Sequence, residues 1–335
     1  MTDARPRAHA LMDVDAFALL FDAPRLDRLN QLSDGAGRML LPDADDPASI
    51  ALLAEAEVLI TAWGAPQLDR ARLERMPRLR AVLHAAGSVQ WLVSDEFWAR
   101  GIRLTSAADA NAVPVAEFTL GAILLSGKRV FTHLRSSPDA TWNAWTTRGI
   151  GNVDRTVGVV GSSRIGRRVV ELLRPFDGIR TLVADPFADP RAVAAAGATL
   201  VPLEEMLPRV DVLSLHAPEL PATRHMIAAP ELAALPDGAT VINTARGALL
   251  DHDALLIECR SGRLDAVLDV TEPEPLPLDS ELRRLPNVAV TPHVAGSLGT
   301  EARRLADAAL DELSAYLAGA PARHPVHADD LVISA

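Results

Sequence analysis

The stretch Thr156–Val170 reads TVGVVGSSRIGRRVV. An apolar strand pattern, Thr156–Val160, runs into Gly161-Ser162-Ser163-Arg164-Ile165-Gly166, and a helical pattern follows. Strand, glycine turn and helix in this order make the phosphate cradle of dinucleotide-binding folds. The first glycine of the G-x-G-x-x-G fingerprint makes the tight turn. The second lets the backbone approach a pyrophosphate on the helix N-terminus, and the third lets helix and strand pack closely. Here Gly161 and Gly166 hold the outer positions and Ser163 replaces the middle glycine. A serine is small and its hydroxyl can donate to a phosphate oxygen, but it narrows the approach. The next strand pattern, Arg180–Ala184, ends at Asp185, 19 residues beyond Gly166. A carboxylate there accepts hydrogen bonds from an adenosine ribose diol and repels a 2′-phosphate, so the pattern favours NAD over NADP. Asp185 also has a simpler role open to it, as the cap of the turn DPFADP.

The same rhythm extends in both directions. Strand patterns fall at 211–216, 240–244, 266–270 and 288–291, with helices at 165–174, 189–196, 252–261 and 300–318. Before the glycine turn lie about 150 residues with their own alternation: strands at 9–14, 38–41, 58–62, 79–84 and 102–106, and helices at 47–56, 68–75 and 89–100. Alternating β and α segments indicate parallel sheets covered by helices. The fold class is therefore α/β, with two doubly wound parallel-sheet lobes and a cleft expected between them. One apolar-faced helix, Val113 to Leu134, separates the halves, followed by a connector rich in Pro, Gly and Trp from Pro138 to Asp154.

The 335 residues exceed what one core usually holds, which also argues for two domains. The net charge of −11 makes polyanions such as nucleic acids or anionic membranes poor partners. A single cysteine, Cys259, excludes an internal disulfide and a cysteine zinc cluster, and fits a reducing cytoplasm. His9, Asp13 and Asp15 interrupt any signal-peptide run, and the strongly apolar run Phe118–Leu125 is too short to span a bilayer. Short-chain dehydrogenases pair Tyr-x-x-x-Lys. The one tyrosine here, Tyr316, lies far after the one lysine, Lys128, so that class is excluded.

Three segments carry candidate chemistry. VINTARG (241–247) delivers Arg246 after a strand, LDVTEPEP (268–275) carries Glu272 and Glu274 on a proline-stiffened loop, and VAVTPHVAGS (288–297) delivers His293. Singly, each has an ordinary structural role open to it: a surface ion pair, a solvated loop charge, a buried hydrogen-bonded histidine. Together they follow three strands of one sheet and should converge on its carboxyl edge, where such sheets bind ligands.

INTARGALLD, LDVTEPEPLP and TPHVAGS, after VGVVGSSRIG, resemble the D-2-hydroxyacid dehydrogenase family. The resemblance is strong from Val113 to about Ala302, and weaker before that, where HAAGSV matches best. It implies an NAD lobe, 108–298, inserted into a discontinuous substrate lobe, 1–107 plus 299–335. It implies hydride transfer between NAD(H) and a small 2-keto or 2-hydroxy acid, in a homodimer formed through the 113–134 helix. Arg246 would bind the substrate carboxylate, His293 would be the general acid–base, and Glu274 would orient His293 and favour its imidazolium form. Glu274 is chosen over Glu272 because it stands immediately before the second proline of the loop. Gly161, Ser163, Arg164, Ile165, Gly166, Asp185, His216, Ala217, Pro218, Thr244, Ala245, Asp269, Ala295 and Gly296 would line the cofactor, with Asp269 near the carboxamide. Gly87 and Ser88 would offer backbone N–H groups to the substrate carboxylate, and Trp63 stands where members often place a substrate-pocket residue, with two roles open to it: contact with an apolar or aromatic side group, or ordinary packing between loops.

The chain departs from the family at Ser88-Val89-Gln90-Trp91, where many members carry tyrosine and aspartate, and at Thr271, where many carry an aromatic residue. Trp142 and Trp145 would pack in the dimer. Two rivals share the fold: an anion dehydrogenase for phosphite or formate, and an NAD(H)-sensing corepressor. The formate enzymes carry glutamine where Glu274 stands. No metal is expected: His324 and His327 lack a third ligand, Asp43, Asp45 and Asp46 read as a solvated helix start, and Asp251 and Asp253 as charges at a helix N-terminus.

Overall fold

The computed structural model describes residues 5–135 and 150–332. The expected contacts of Trp142 and Trp145 lie outside these residues. The chain divides into two compact units, Met1–Asn111 with Ser297–Ala335, and Ala112–Gly296.

In the first unit, five parallel strands form one sheet: β1 (Ala8–Leu11), β2 (Leu40–Leu41), β3 (Val58–Thr61), β4 (Ala81–His84) and β5 (Arg103–Ser106), in the order β2-β1-β3-β4-β5. Every residue of β1, β3 and β4 is buried, as expected where helices cover both faces of a parallel sheet. Leu20, Leu29, Leu305, Leu310 and Leu313 pack on one face. Leu53, Leu73 and Phe97 pack on the other. The first of these cores is built partly from the C-terminal helix Arg303–Leu317, which returns to this unit. Arg25 and Arg28 pair with Asp307 and Asp311 along that contact, each at 2.6 Å. The segment after that helix covers the free edge of β5: the Val326 N–H donates to the Leu104 carbonyl at 2.9 Å. Such covering removes an edge open to mispairing. Buried Glu312 holds the segment by accepting the N–H groups of Arg323 and His324, and His324 pairs with Asp109 at 2.8 Å.

The second unit holds β6 (Arg155–Val160), β7 (Ile179–Ala184), β8 (Thr199–Leu200), β9 (Val212–Leu215), β10 (Thr240–Asn243), β11 (Asp265–Leu268) and β12 (Val288–Val290), all parallel, in the order β12-β11-β10-β9-β6-β7-β8. Helices cover both faces here too. Val169, Val170 and Leu173 of the helix after the glycine turn share one core with Ala116, Ala122 and Ile123. Leu232, Leu255 and Cys259 lie in the other.

Some sequence expectations shift. The helix expected over 113–134 is two helices, Ala108–Gly127 and Val130–Arg135, broken where Arg129 takes a left-handed φ of +52°. Ala108–Gly127 is long and apolar enough by length and composition to cross a bilayer, so Phe118–Leu125 understated the apolar run, and half of it is buried within the protein. The helix expected over 89–100 shrinks to Asp95–Ala99, because Leu92 and Val93 bond in extended form to Leu68. The strand expected over 9–14 stops at Leu11, and Asp13 stands at the N-cap of a helix, Val14–Leu20. Asp46 caps the helix Pro47–Leu53, while Asp45 pairs with Arg72 and Arg75 and is not simply solvated. Asp251 caps the helix His252–Arg260 through the N–H groups of Asp253 and Ala254.

Candidate active site

In the second unit, strand order reverses between β6 and β9. Loops leaving the carboxyl ends of two such strands diverge and leave a crevice, the usual ligand position in this architecture. Gly161 follows β6 with φ +96°, and a Cβ there would lie 2.6 Å from the Ala217 nitrogen and 2.7 Å from the His216 carbonyl carbon. A Cβ on Gly166 would lie 2.0 Å from the Gly161 oxygen. Gly161 is therefore fixed by the closeness of the β6 turn to the β9 loop, and Gly166 by the closeness of the helix to the Gly161 carbonyl, which leaves bare backbone at the start of the helix Arg164–Leu173. Ser163 is the N-cap of that helix, and its Oγ accepts the Gly166 N–H at 3.2 Å. The serine thus serves the helix as a cap, and the extended Ser163 backbone, φ −67°, needs no glycine.

Asp185, just past β7, accepts the Ser162 N–H at 2.7 Å and the Phe187 N–H at 2.8 Å. Its carboxylate is both a turn cap and a negative charge beside the glycine turn. His216 is buried, with Nε2 2.8 Å from Ser214 Oγ, and Nδ1 has no hydrogen-bond partner among the described residues. Burial pushes its pKa down to about 3, so the ring is neutral. The bare glycine backbone, the helix start, the Asp185 carboxylate and the unpartnered His216 nitrogen fit a dinucleotide: phosphates on the turn, ribose on the carboxylate.

The strands β10, β11 and β12 are neighbours, and each delivers one candidate catalytic side chain from its carboxyl end. After β10, buried Asn243 shapes the turn: its Oδ1 accepts the Ala245 N–H and its Nδ2 donates to the Arg246 carbonyl at 2.8 Å. Arg246 is half-buried, with Nη1 donating to the Ala245 carbonyl. Thr244 Oγ1 lies 2.9 Å from Thr119 Oγ1. A Cβ on Gly247 would lie 2.2 Å from the Thr271 carbonyl carbon, so the Arg246 turn packs directly on the loop after β11.

That loop holds both glutamates. Glu274 Oε1 lies 2.5 Å from His293 Nδ1. Glu272 is turned to Arg224, with two hydrogen bonds of 2.9 and 3.0 Å, and to His225. These partners hold the Glu272 carboxyl below the usual range, the Arg224 hydrogen bonds first.

Asp269 is buried, and both of its oxygens serve the loop after β12: Oδ1 accepts from Thr291 Oγ1 at 2.6 Å and from the Val294 N–H at 2.8 Å, and Oδ2 accepts the Ala295 N–H at 2.9 Å. Its carbonyl accepts the His293 N–H at 3.0 Å. His293 sits at φ +54°, a conformation that costs a non-glycine residue energy and persists only where neighbours impose it. Sequence reasoning singled out Arg246, Glu274, His293 and Asp269, but missed the supports Asn243, Thr291 and Thr119. Their signal was a polar residue inside or closing an apolar run.

Residues 120–295 match the family model described as D-isomer specific 2-hydroxyacid dehydrogenase, NAD binding domain. The chain belongs to the D-isomer specific 2-hydroxyacid dehydrogenase family. Among family relatives, a D-3-phosphoglycerate dehydrogenase of Methanocaldococcus jannaschii is 30% identical over 82% of this chain and 52% of its own length. This chain thus spans about half the length of the phosphoglycerate dehydrogenases it matches. A glyoxylate reductase of Korarchaeum cryptofilum is 32% identical over 75% of this chain and 77% of its own. A crystal structure of a Thermus thermophilus protein superposes with a TM-score of 0.75 at 30% identity, over 96% of this chain and 100% of the other. The residues that match the family's NAD-binding domain, 120–295, lie within the second unit.

The remaining candidates lie in the first unit. Gly87 and Ser88 follow β4, both partly exposed, and Trp63 follows β3 and is 38% exposed.

Proposed function

We propose that this chain is an NAD-dependent 2-hydroxyacid dehydrogenase that interconverts a 2-keto acid and the D-2-hydroxy acid. The observation that carries the reading is the Glu274–His293 pair, with the His293 loop fastened by Asp269 and the Glu274 loop packed on the Arg246 turn, within residues that match an NAD-binding domain. NADH, when bound, supplies the hydride. Gly161, Ser163, Arg164, Ile165 and Gly166 are assigned to its phosphates and Asp185 to its ribose. His216, Ala217, Pro218, Thr244, Ala245, Asp269, Ala295 and Gly296 are assigned to the rest of its length.

The Arg246 guanidinium is a permanent charge with a planar fork of donors, suited to a carboxylate and a neighbouring keto oxygen. As charge grows on that oxygen, Arg246 stabilises it and His293 delivers a proton to it. With Nδ1 held by Glu274, Nε2 is the nitrogen that faces the substrate. In the reverse direction the same nitrogen takes the hydroxyl proton. Gly87, Ser88 and Trp63 are assigned to the substrate from the first unit. Asp185 supports NAD over NADP, because a 2′-phosphate would bring a second anion against its carboxylate. We assign a cytoplasmic homodimer, with the apolar helix region 113–134, including exposed Leu125 and Leu134, as the contact.

The test is steady NADH oxidation with a panel of 2-keto acids, together with a His293→Ala variant. Turnover lost in the variant while NADH still binds supports the reading. Tight NADH binding with no turnover on any keto acid by the unaltered protein would instead indicate a sensor.

A further inference from the structure

Of the three acidic residues in LDVTEPEP, Glu272 alone has no part in the chemistry proposed above. It stands two residues before Glu274, and both of its oxygens are taken by Arg224: Nη1 donates to Oε1 at 2.9 Å and Nη2 to Oε2 at 3.0 Å. Two parallel bonds of this kind fix the plane and direction of a carboxylate as well as its distance. His225 Nε2 lies 3.4 Å from the same Oε2.

The residues that hold Glu272 are themselves held by the chain just after Arg246. The His225 N–H donates to the Ala248 carbonyl at 2.7 Å, the Ile227 N–H donates to the Leu249 carbonyl at 3.1 Å, and the Asp251 N–H returns to the Ile227 carbonyl at 2.9 Å. His225 takes φ +50°, a conformation that persists only where such neighbours impose it. A Cβ on Gly247 would lie 2.7 Å from the Glu272 nitrogen, so the Arg246 turn also meets the Glu272 backbone directly. Segment 224–227 therefore ties the chain after β10 to the loop after β11, by backbone hydrogen bonds to the first and an ion pair to the second.

Glu274 stands between two anchors. Downstream, Leu276 is buried, and its carbonyl accepts from Arg283 Nε at 3.1 Å and Nη2 at 2.6 Å. Upstream is Glu272 on Arg224. Between these anchors the Glu274 side chain is about half exposed, as is His293, so burial does not fix where the two meet. The Arg224 side chain is about half exposed as well. An exposed ion pair adds little to global stability. A displacement of about 1 Å at a reacting group, in contrast, can cost about a hundredfold in rate. The clamp therefore bears on the position of the loop far more than on the stability of the fold.

Resting on the dehydrogenase reading above, we propose that Arg224, through its bidentate hold on Glu272, is a positioning residue for the reaction: it sets the loop from which Glu274 meets His293, and acts on the chemical step only by way of Glu274. The test uses the full chain with R224Q, R224K and E272Q, each alone, and R224Q joined to E274Q. Hydride transfer is read as single-turnover NADH oxidation at saturating glyoxylate, pyruvate, hydroxypyruvate or phenylpyruvate. NADH affinity by fluorescence and the midpoint of urea unfolding are read beside it. On the keto acid used best, R224Q and E272Q should each slow the chemical step by at least about fivefold, with NADH affinity kept and the urea midpoint close to that of the unaltered chain. Glutamine matches glutamate in shape, so E272Q reads the clamp even where R224Q folds poorly. R224K keeps the charge but loses the fork, and its rate should lie between those of the unaltered chain and R224Q. Joined to E274Q, R224Q should cause no further loss, because its effect passes through Glu274. A chemical step unchanged in both R224Q and E272Q, a loss confined to KM or to NADH affinity, or a full additional loss in R224Q joined to E274Q overturns this proposal alone. Turnover of none of the four keto acids by the unaltered chain overturns the dehydrogenase reading and this proposal with it.

Discussion

Glu274 and His293 stand on loops from two neighbouring strands and meet at 2.5 Å, Oε1 to Nδ1. Each side chain is about half exposed, so the pair is held by its loops more than by burial. His293→Ala should lower kcat by ~10²–10⁴-fold, the usual worth of a positioned acid–base group. Glu274→Gln removes the charge but keeps the shape, and should cost ~10–100-fold, matching ~1.5–3 kcal/mol for a charged hydrogen bond. Stopped-flow single-turnover rates check both. A full chemical rate in His293→Ala refutes the assignment.

Asp269 is the fastening of the His293 loop. Asp269→Asn exchanges an oxygen acceptor for an amide donor opposite N–H groups of that loop. The midpoint of urea unfolding should fall by an amount equivalent to ~1–3 kcal/mol, with kcat falling as His293 leaves its left-handed conformation. Wild-type stability together with wild-type turnover would show that the loop stands without it.

Gly161→Ala places a methyl group 2.6 Å from the Ala217 nitrogen at φ +96°. NADH affinity, read by fluorescence titration, should collapse. Ser163→Ala removes a cap and should cost ~0.5–2 kcal/mol of stability, whereas Ser163→Gly should cost only a few tenths. Equal stability losses in the two serine variants would mean the Oγ to Gly166 bond has no weight.

Asp185→Asn should improve NADPH binding relative to NADH, since it removes the charge that opposes a 2′-phosphate. Its hydrogen bonds to Ser162 and Phe187 weaken at the same time, so some NADH affinity should be lost. A ratio of the two dissociation constants that does not move toward NADPH counts against Asp185 as the discriminating group.

His84 and His216 are buried neutral, with pKa values pushed down to about 4 and about 3. In the unfolded chain each binds a proton near pH 6.5, so between that pH and the folded value the unfolded state holds more protons. Stability should therefore be full above pH 6.5 and fall on acidification, by up to about 1.4 kcal/mol per pH unit for each histidine. His84→Gln should flatten the decline between pH 6.5 and 4 in urea titrations. A decline of unaltered steepness would locate the acid lability elsewhere.

The strands were legible because a parallel strand buried on both faces is written as a nearly continuous apolar run, as in VLIT at β3 or AVLH at β4, each closed by one polar residue. Helices were legible where an Asp or Ser cap preceded them, as at Asp46, Asp251 and Ser163. Helical propensity misled over 89–100, where Leu92 and Val93 instead bond to Leu68, 24 residues or more away along the chain. It also ran through the break at Arg129, which is set by a backbone angle that no side-chain pattern encodes.

By itself, the sequence determined the two α/β rhythms, the glycine turn and the three strand ends bearing Arg246, Glu274 and His293. Each of these is a local matter of residue type and spacing. Tertiary structure decided what required two distant segments at once. It turned Glu272 to Arg224 and Glu274 to His293, and gave both Asp269 oxygens to the loop after β12. It made Ser163 a cap, and drew Thr61, His84 and Trp91 together at the edge of the first sheet. Hydrogen-bond partners and burial depend on which strands become neighbours, and that order is fixed only when the sheets form.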